Sequence, residues 1–101
     1  MSTASLCVVL PCAGESRWLA SALDSVDRWP RILVDDSLSG VSGPPTATRV
    51  RTGGLGFAGA VNAGLEEAEI QGFAWALVLN DDARVEEDCV QQLLDARSRH
   101  P

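Results

Sequence analysis

Asn80, Asp81 and Asp82 follow directly on an unbroken apolar run, Phe73-Ala-Trp-Ala-Leu-Val-Leu79. Two adjacent carboxylates repel one another, and a hard divalent cation such as Mg2+ or Mn2+, bridging them to a phosphate, removes that cost. The blander use of an aspartate at this position is to cap the next helix. A second acidic pair, Asp35 and Asp36, ends the short apolar stretch Ile32-Leu-Val34. A third feature is Gly53-Gly-Leu-Gly-Phe-Ala-Gly59, in which Gly54, Gly56 and Gly59 have the spacing of a dinucleotide-binding loop. Small residues there let a backbone approach a pyrophosphate or ribose, and a following helix start offers N–H groups to an anion. The alternative use of such glycines is close helix–strand packing.

These residues need elements to hold them. Leu6-Cys-Val-Val-Leu10 reads as a buried strand closed by Pro11, and Trp18, Leu19, Ala22, Leu23 and Val26 then fall on one face of a helix. Ile32 to Val34 is a short second strand, followed by a Ser-, Gly- and Pro-rich loop over 37–45. Thr48-Arg-Val-Arg51 is an edge strand, because it has a single strong apolar residue. Phe57, Ala60, Val61, Leu65 and Ala68 repeat at helical spacing. The run from Phe73 to Leu79 fits a strand buried on both faces of a parallel sheet. A last helix is expected from near Glu86, with Glu86, Glu87 and Asp88 in its first turn, Val90, Leu93 and Leu94 on one side, and Arg97, Arg99 and His100 at its end. Alternating strands and helices predict an α/β fold with a mostly parallel sheet. Ligands of such sheets sit at the carboxyl ends of the strands, where the loop after Pro11 and both acidic pairs are expected.

Composition narrows the function. A chain of 101 residues is one domain, no segment is apolar enough to span a bilayer, and a cytoplasmic protein is expected. The net charge of −6 argues against nucleic acid as a partner. All eight basic residues are Arg, and the absence of Lys excludes a P-loop and a phospho-receiver site. His100 is the only histidine and stands at the extreme end, which leaves a catalytic triad or a His-based metal site without support. Of the three cysteines, Cys7 and Cys89 read as core thiols and Cys12 as a residue exposed at a loop. The charged strand Thr48 to Arg51 before the glycines argues against a nicotinamide-dinucleotide fold, in which that strand is central and apolar.

In order and spacing, Leu6-Cys-Val-Val-Leu-Pro11, Leu33-Val-Asp-Asp-Ser37, the block GLGFAGAVNAGL beginning at Gly54, and LVLNDDARVEED beginning at Leu77 resemble the donor-binding half of family 2 glycosyltransferases with the GT-A fold. The resemblance covers nearly the whole chain and is strongest to the rhamnosyl- and galactofuranosyl-transferring branch. It implies a three-layer α/β/α, Rossmann-like nucleotide-binding half of a GT-A enzyme. It also implies a metal-dependent, inverting transfer of a sugar from a UDP- or dTDP-linked donor to a cell-surface polysaccharide, lipid or similar acceptor. By this resemblance Asp36, with Asp35 as the neighbouring alternative, reads the imide N–H of uracil or thymine. Asp82 ligates Mg2+ or Mn2+ in a DXD-like motif, Asp81 meets the ribose or a metal-bound water, and Asn80 belongs to the same motif. Pro11, Cys12 and Ala13 occupy the place where the family lines the base, and Gly56 and Glu15 complete the nucleotide-binding set. Ala13 departs from the aromatic residue the family often places there; Trp18 would have to cover the base, although helix core is its simpler role. Arg17 is placed either to reach a phosphate or to stay solvated.

Members of that family continue into a second half that binds the acceptor and carries the catalytic base. Residues 1–101 are therefore expected to form a single nucleotide-sugar-binding domain truncated before that half, with no catalytic residue identified in this chain and Glu86, Glu87 and Asp88 as ordinary helix-start charges. The uncovered sheet edge leads to an expectation of self-association into a homo-oligomer or of marginal stability. A lipid-linked acceptor would bring the protein to the inner face of the membrane. Two other functions compete. Cys12-Ala-Gly-Glu-Ser16 looks like the opening loop of a sugar-nucleotide nucleotidyltransferase, although no Lys follows it, and a non-catalytic nucleotide-binding module would need no acceptor half.

Overall fold

Every residue of Leu6–Cys12, strand β1, is buried. Its side chains alternate between two separate apolar clusters. Leu6, Val8, Leu10 and Cys12 gather with Leu19, Ala22, Leu23 and Val26, whereas Cys7 and Val9 gather with Ile32, Val34, Ala60 and Ala68. The two-residue period of a strand produces this division, and a strand with apolar neighbours on both sides needs an unbroken apolar sequence.

The computed structural model describes residues 5–14, 16–38, 40–41, 46–86 and 88–99, the side chains of 97–99 excepted. After β1 come α1 (Leu19–Ser25), β2 (Arg31–Asp35), β3 (Thr48–Arg51), α2 (Phe57–Ile70), β4 (Trp75–Val78) and α3 (Cys89–Arg99). The strands form one four-stranded parallel sheet in the order β3-β2-β1-β4. The molecule is thus an α/β domain with a parallel sheet and three helices. From β1 the chain moves outward through β2 to β3 and then returns to the opposite side of β1 for β4. Such a reversal opens a crevice beyond the carboxyl ends of the two strands on either side of it. Among the described residues, no helix is long and apolar enough to cross a membrane.

Several expectations are corrected. β4 is shorter than the apolar run that contains it, and it is not buried on both faces: Trp75 is 44% exposed and Val78 is exposed as well. In the described sheet β4 pairs only with β1, so Ala76 and Leu77 pack on the two clusters while their neighbours stay open. Strand β1 runs through Pro11 to Cys12, and the Cys12 thiol is buried and donates to the Val34 carbonyl rather than standing exposed in a loop. Cys7 is fully buried as expected, and burial pushes its thiol up; Cys89 is only half-buried. Trp18 is not helix core. It stands at the start of α1, 49% exposed, with the Arg17 guanidinium over its ring. Helix α3 begins at Cys89, so Glu86 and Asp88 precede it instead of filling its first turn. Glu87 and His100 lie outside the described residues. Val90 is buried, but Leu93 is exposed.

Candidate functional site

The two acids that end β2 hold different loops. The Asp35 side chain is fully buried; its carboxylate accepts from the Ser37 hydroxyl and N–H and from the Val41 N–H at 3.0 Å. Arg51 pairs with the same carboxylate at 3.8 Å. Burial pushes this carboxyl up, and the Ser37 and Val41 hydrogen bonds and the Arg51 charge outweigh it, leaving the group below the usual carboxylate range. Asp35 therefore ties the segment after β2 back onto the strand end.

Asp36 reaches the other way, to the glycine turn between β3 and α2. Its Oδ1 accepts from the Thr52 hydroxyl, the Gly54 N–H at 3.0 Å and the Leu55 N–H at 2.7 Å, and its Oδ2 accepts from the Gly56 N–H at 2.8 Å. Three consecutive N–H groups turned toward one point form an anion-binding nest, and here the chain fills it with its own carboxylate. The turn needs glycine: Gly54 has φ 100° and Gly56 φ 87°, in the region that side chains avoid. The Thr52 hydroxyl chiefly, with the three N–H groups adding to it against the opposing effect of burial, holds Asp36 below the usual carboxylate range.

Close packing, the alternative reading of the glycine segment, falls to a different residue. A Cβ on Gly64 would collide with Val9 and would lie 2.8 Å from the Val34 side chain. Gly59 instead faces Leu55 of its own turn. Gly64 is thus where α2 approaches the sheet, and a period-based reading passes over it because glycine carries no apolar signal.

Asn80, Asp81 and Asp82 follow β4 in a turn closed by the Ala83 N–H donating to the Asn80 carbonyl at 3.1 Å. The next residues are anchored on α1: the Arg84 guanidinium donates to the Ser21 hydroxyl at 2.7 Å, and the Val85 N–H to the Ser25 hydroxyl at 3.1 Å. Neither acid caps α3, which begins only at Cys89. Asp81 is half-buried and Asp82 exposed. Burial pushes the Asp81 carboxyl up, and the charge of Asp82 adds to the rise.

One cleft of about 400 Å3 gathers these features at the carboxyl edge of the sheet. Pro11 and Cys12 line it from the end of β1 and Ala13 from the loop after it, Asp36 from just beyond β2, Gly56, Phe57 and Ala60 from the start of α2, and Asn80, Asp81 and Asp82 from the turn after β4. Of the residues assigned to a nucleotide or metal from the sequence, Pro11, Ala13, Asp36, Gly56, Asn80, Asp81 and Asp82 are in this lining, Asp35, the alternative to Asp36, is not, and Glu15 lies outside the described residues. Trp18 and Arg17 are not in it. Sequence reasoning assigned no site role to Phe57 and Ala60, which line the cleft, or to Thr52, which holds the Asp36 carboxylate. Phe57 belongs to the apolar helical period of α2, yet it is 65% exposed and lines the cleft.

The donor set can be compared with the metal that the resemblance implies. Among the described residues, no three His, Cys, Asp or Glu side chains are grouped to hold an ion. Asp81 and Asp82 supply oxygen donors with a mutual repulsion that a cation relieves. Such a pair fits Mg2+ or Mn2+, which take a few protein oxygens and complete their shell with phosphate and water. It does not fit an ion enclosed by protein ligands alone. No protein-family model, no curated protein and no solved structure matches this chain.

Proposed function

We propose that this chain is the donor-binding part of a metal-dependent, inverting glycosyltransferase of the family 2, GT-A type, a three-layer α/β/α domain of Rossmann-like character. It takes a nucleoside-diphosphate sugar, UDP- or dTDP-linked, for transfer to a carbohydrate or lipid-linked acceptor. The observation that carries the reading is convergence: Pro11, Ala13, Asp36, Gly56, Asn80, Asp81 and Asp82, far apart in sequence, line one cleft at the reversal point of a parallel sheet.

Asp82, with Asp81 beside it, would hold the Mg2+ or Mn2+, which when bound supplies Lewis-acid stabilisation to the diphosphate leaving group. Asp81 and Asn80 orient the ribose side of the nucleotide. Asp36 fixes the glycine turn through both oxygens and lines the cleft, and its Oδ2, which accepts from Gly56 among the described residues, would keep a lone pair for the imide N–H of uracil or thymine. Pro11 and Ala13 give the base a flat apolar floor. In the transfer, an acceptor hydroxyl oxygen attacks the anomeric carbon, the bond to the diphosphate breaks with inversion, and the hydroxyl proton passes to a base; we assign that base to no residue described here.

Calorimetric titration with UDP and dTDP, with and without Mn2+, tests the donor site. Binding that needs Mn2+ and drops at least about tenfold in Asp82→Ala is the expected result. Absence of binding by the unaltered protein under every condition would overturn the reading.

A further inference from the structure

Resting on that reading, we infer that Phe57 is the aromatic platform on which the nucleobase stacks. Ala13, on the loop after β1, has no ring to offer, and Trp18, the nearest aromatic in sequence, does not line the cleft. Among the described lining residues Phe57 is the aromatic one, and the residue is 65% exposed. An aromatic residue that lines a cleft and stays largely open to water contributes little to the core and is available to a flat ligand.

The cleft is also divided by chemistry. Asn80, Asp81 and Asp82 come from one strand end and suit a metal-bound diphosphate, whereas Phe57, Ala60, Pro11 and Ala13 supply apolar surface. A nucleotide has the same division, with a charged end and a ring. Phe57 is moreover held in place before any ligand arrives. It is the first residue of α2, and the Gly56 N–H immediately before it is fixed by the Asp36 carboxylate. The anion nest of the glycine turn is filled by that carboxylate, so the turn does not serve as a phosphate cradle; it sets the position of Phe57 instead.

The test compares UDP with inorganic pyrophosphate, each titrated with Mn2+ into the unaltered protein, Phe57→Ala, Phe57→Leu and Phe57→Trp. Stacking predicts that Phe57→Ala and Phe57→Leu each weaken UDP by about tenfold to a hundredfold, that Phe57→Trp retains it, and that pyrophosphate is unaffected throughout. Unchanged UDP affinity in Phe57→Ala, or full affinity in Phe57→Leu, would overturn the assignment while leaving the donor site intact. Equal losses for UDP and pyrophosphate would overturn it too, because the effect would then lie at the phosphates. If the unaltered protein bound neither ligand, the donor-site reading would fall and this inference with it. Phe57 is largely exposed, so the variants are expected to fold, and amide spectra of each check this.

Discussion

Asp36 illustrates how far a single residue can be read from sequence. Its place after an apolar strand marked it for the ligand edge, and it does border the cleft. Its use of Thr52 and three successive N–H groups was not legible, because backbone donors carry no side-chain signature and lie in a turn that only the fold brings near. The carboxylate sits below the usual range, so as the pH falls the unfolded chain binds this proton before the folded one does. The stabilisation is therefore complete above the ordinary carboxylate range and is lost as the pH falls through the lowered value of Asp36. In Asp36→Asn the carboxamide keeps one oxygen acceptor but turns an N–H2 toward a second donor. Protection of the Gly54, Leu55 and Gly56 amides, taken relative to the unprotected exchange rate at the same pH, should then fall by about tenfold or more, with the β1 amides unchanged, and acid should lower the same protection in the unaltered protein. Hydrogen exchange followed by NMR checks both; a turn equally protected in Asp36→Asn would show that the charge does not hold it.

At the scale of elements, the strands were legible because parallel strands with apolar neighbours on both sides are written as apolar runs, and β1 and β2 follow that rule. β4 has the same pattern and breaks the rule, since apolarity does not say whether a neighbour is present. Helix α2 was legible in position and, at Ala60 and Ala68, in the face it buries, but not in its large apolar residues. Phe57 and Leu65 dominate its apolar period by size, yet both are exposed, and the buried stripe is Ala60, Gly64 and Ala68. Small residues let the helix axis come close to the sheet, and Val9 and Val34 fill the space that a side chain at Gly64 would take. In Gly64→Ala, helix propensity gains about 1 kcal/mol. Overpacking against two buried β-branched side chains costs about 1–3 kcal/mol, and strand-held valines have little room to withdraw. The expected net result is a destabilisation of about 1 kcal/mol, seen as a lower urea midpoint at unchanged slope. A higher midpoint would mean that α2 can lift from the sheet at no cost.

On the proposed function, charge over the whole molecule decides how a diphosphate would be held. The chain carries a net charge of −6, and the cleft is lined by Asp36, Asp81 and Asp82 with no Arg among the described lining residues. Arg17 is over Trp18, Arg51 is paired with Asp35, and Arg84 is bound to Ser21. A nucleoside diphosphate approaching this edge without a metal meets like charge, and the low-dielectric walls of a cleft strengthen the repulsion. Chelation of the metal with EDTA should therefore abolish tight binding of UDP. The residual metal-free affinity should have an unusual sign of salt dependence. Raising the ionic strength from about 0.01 M to about 0.15 M shortens the screening length from roughly 30 Å to roughly 8 Å, which weakens repulsion as readily as attraction. Metal-free affinity should accordingly rise by a few-fold with salt, whereas a site built on Arg would lose affinity over the same range. Titration of UDP in EDTA at the two ionic strengths decides between them, and a fall with salt would mean that a guanidinium faces the phosphates.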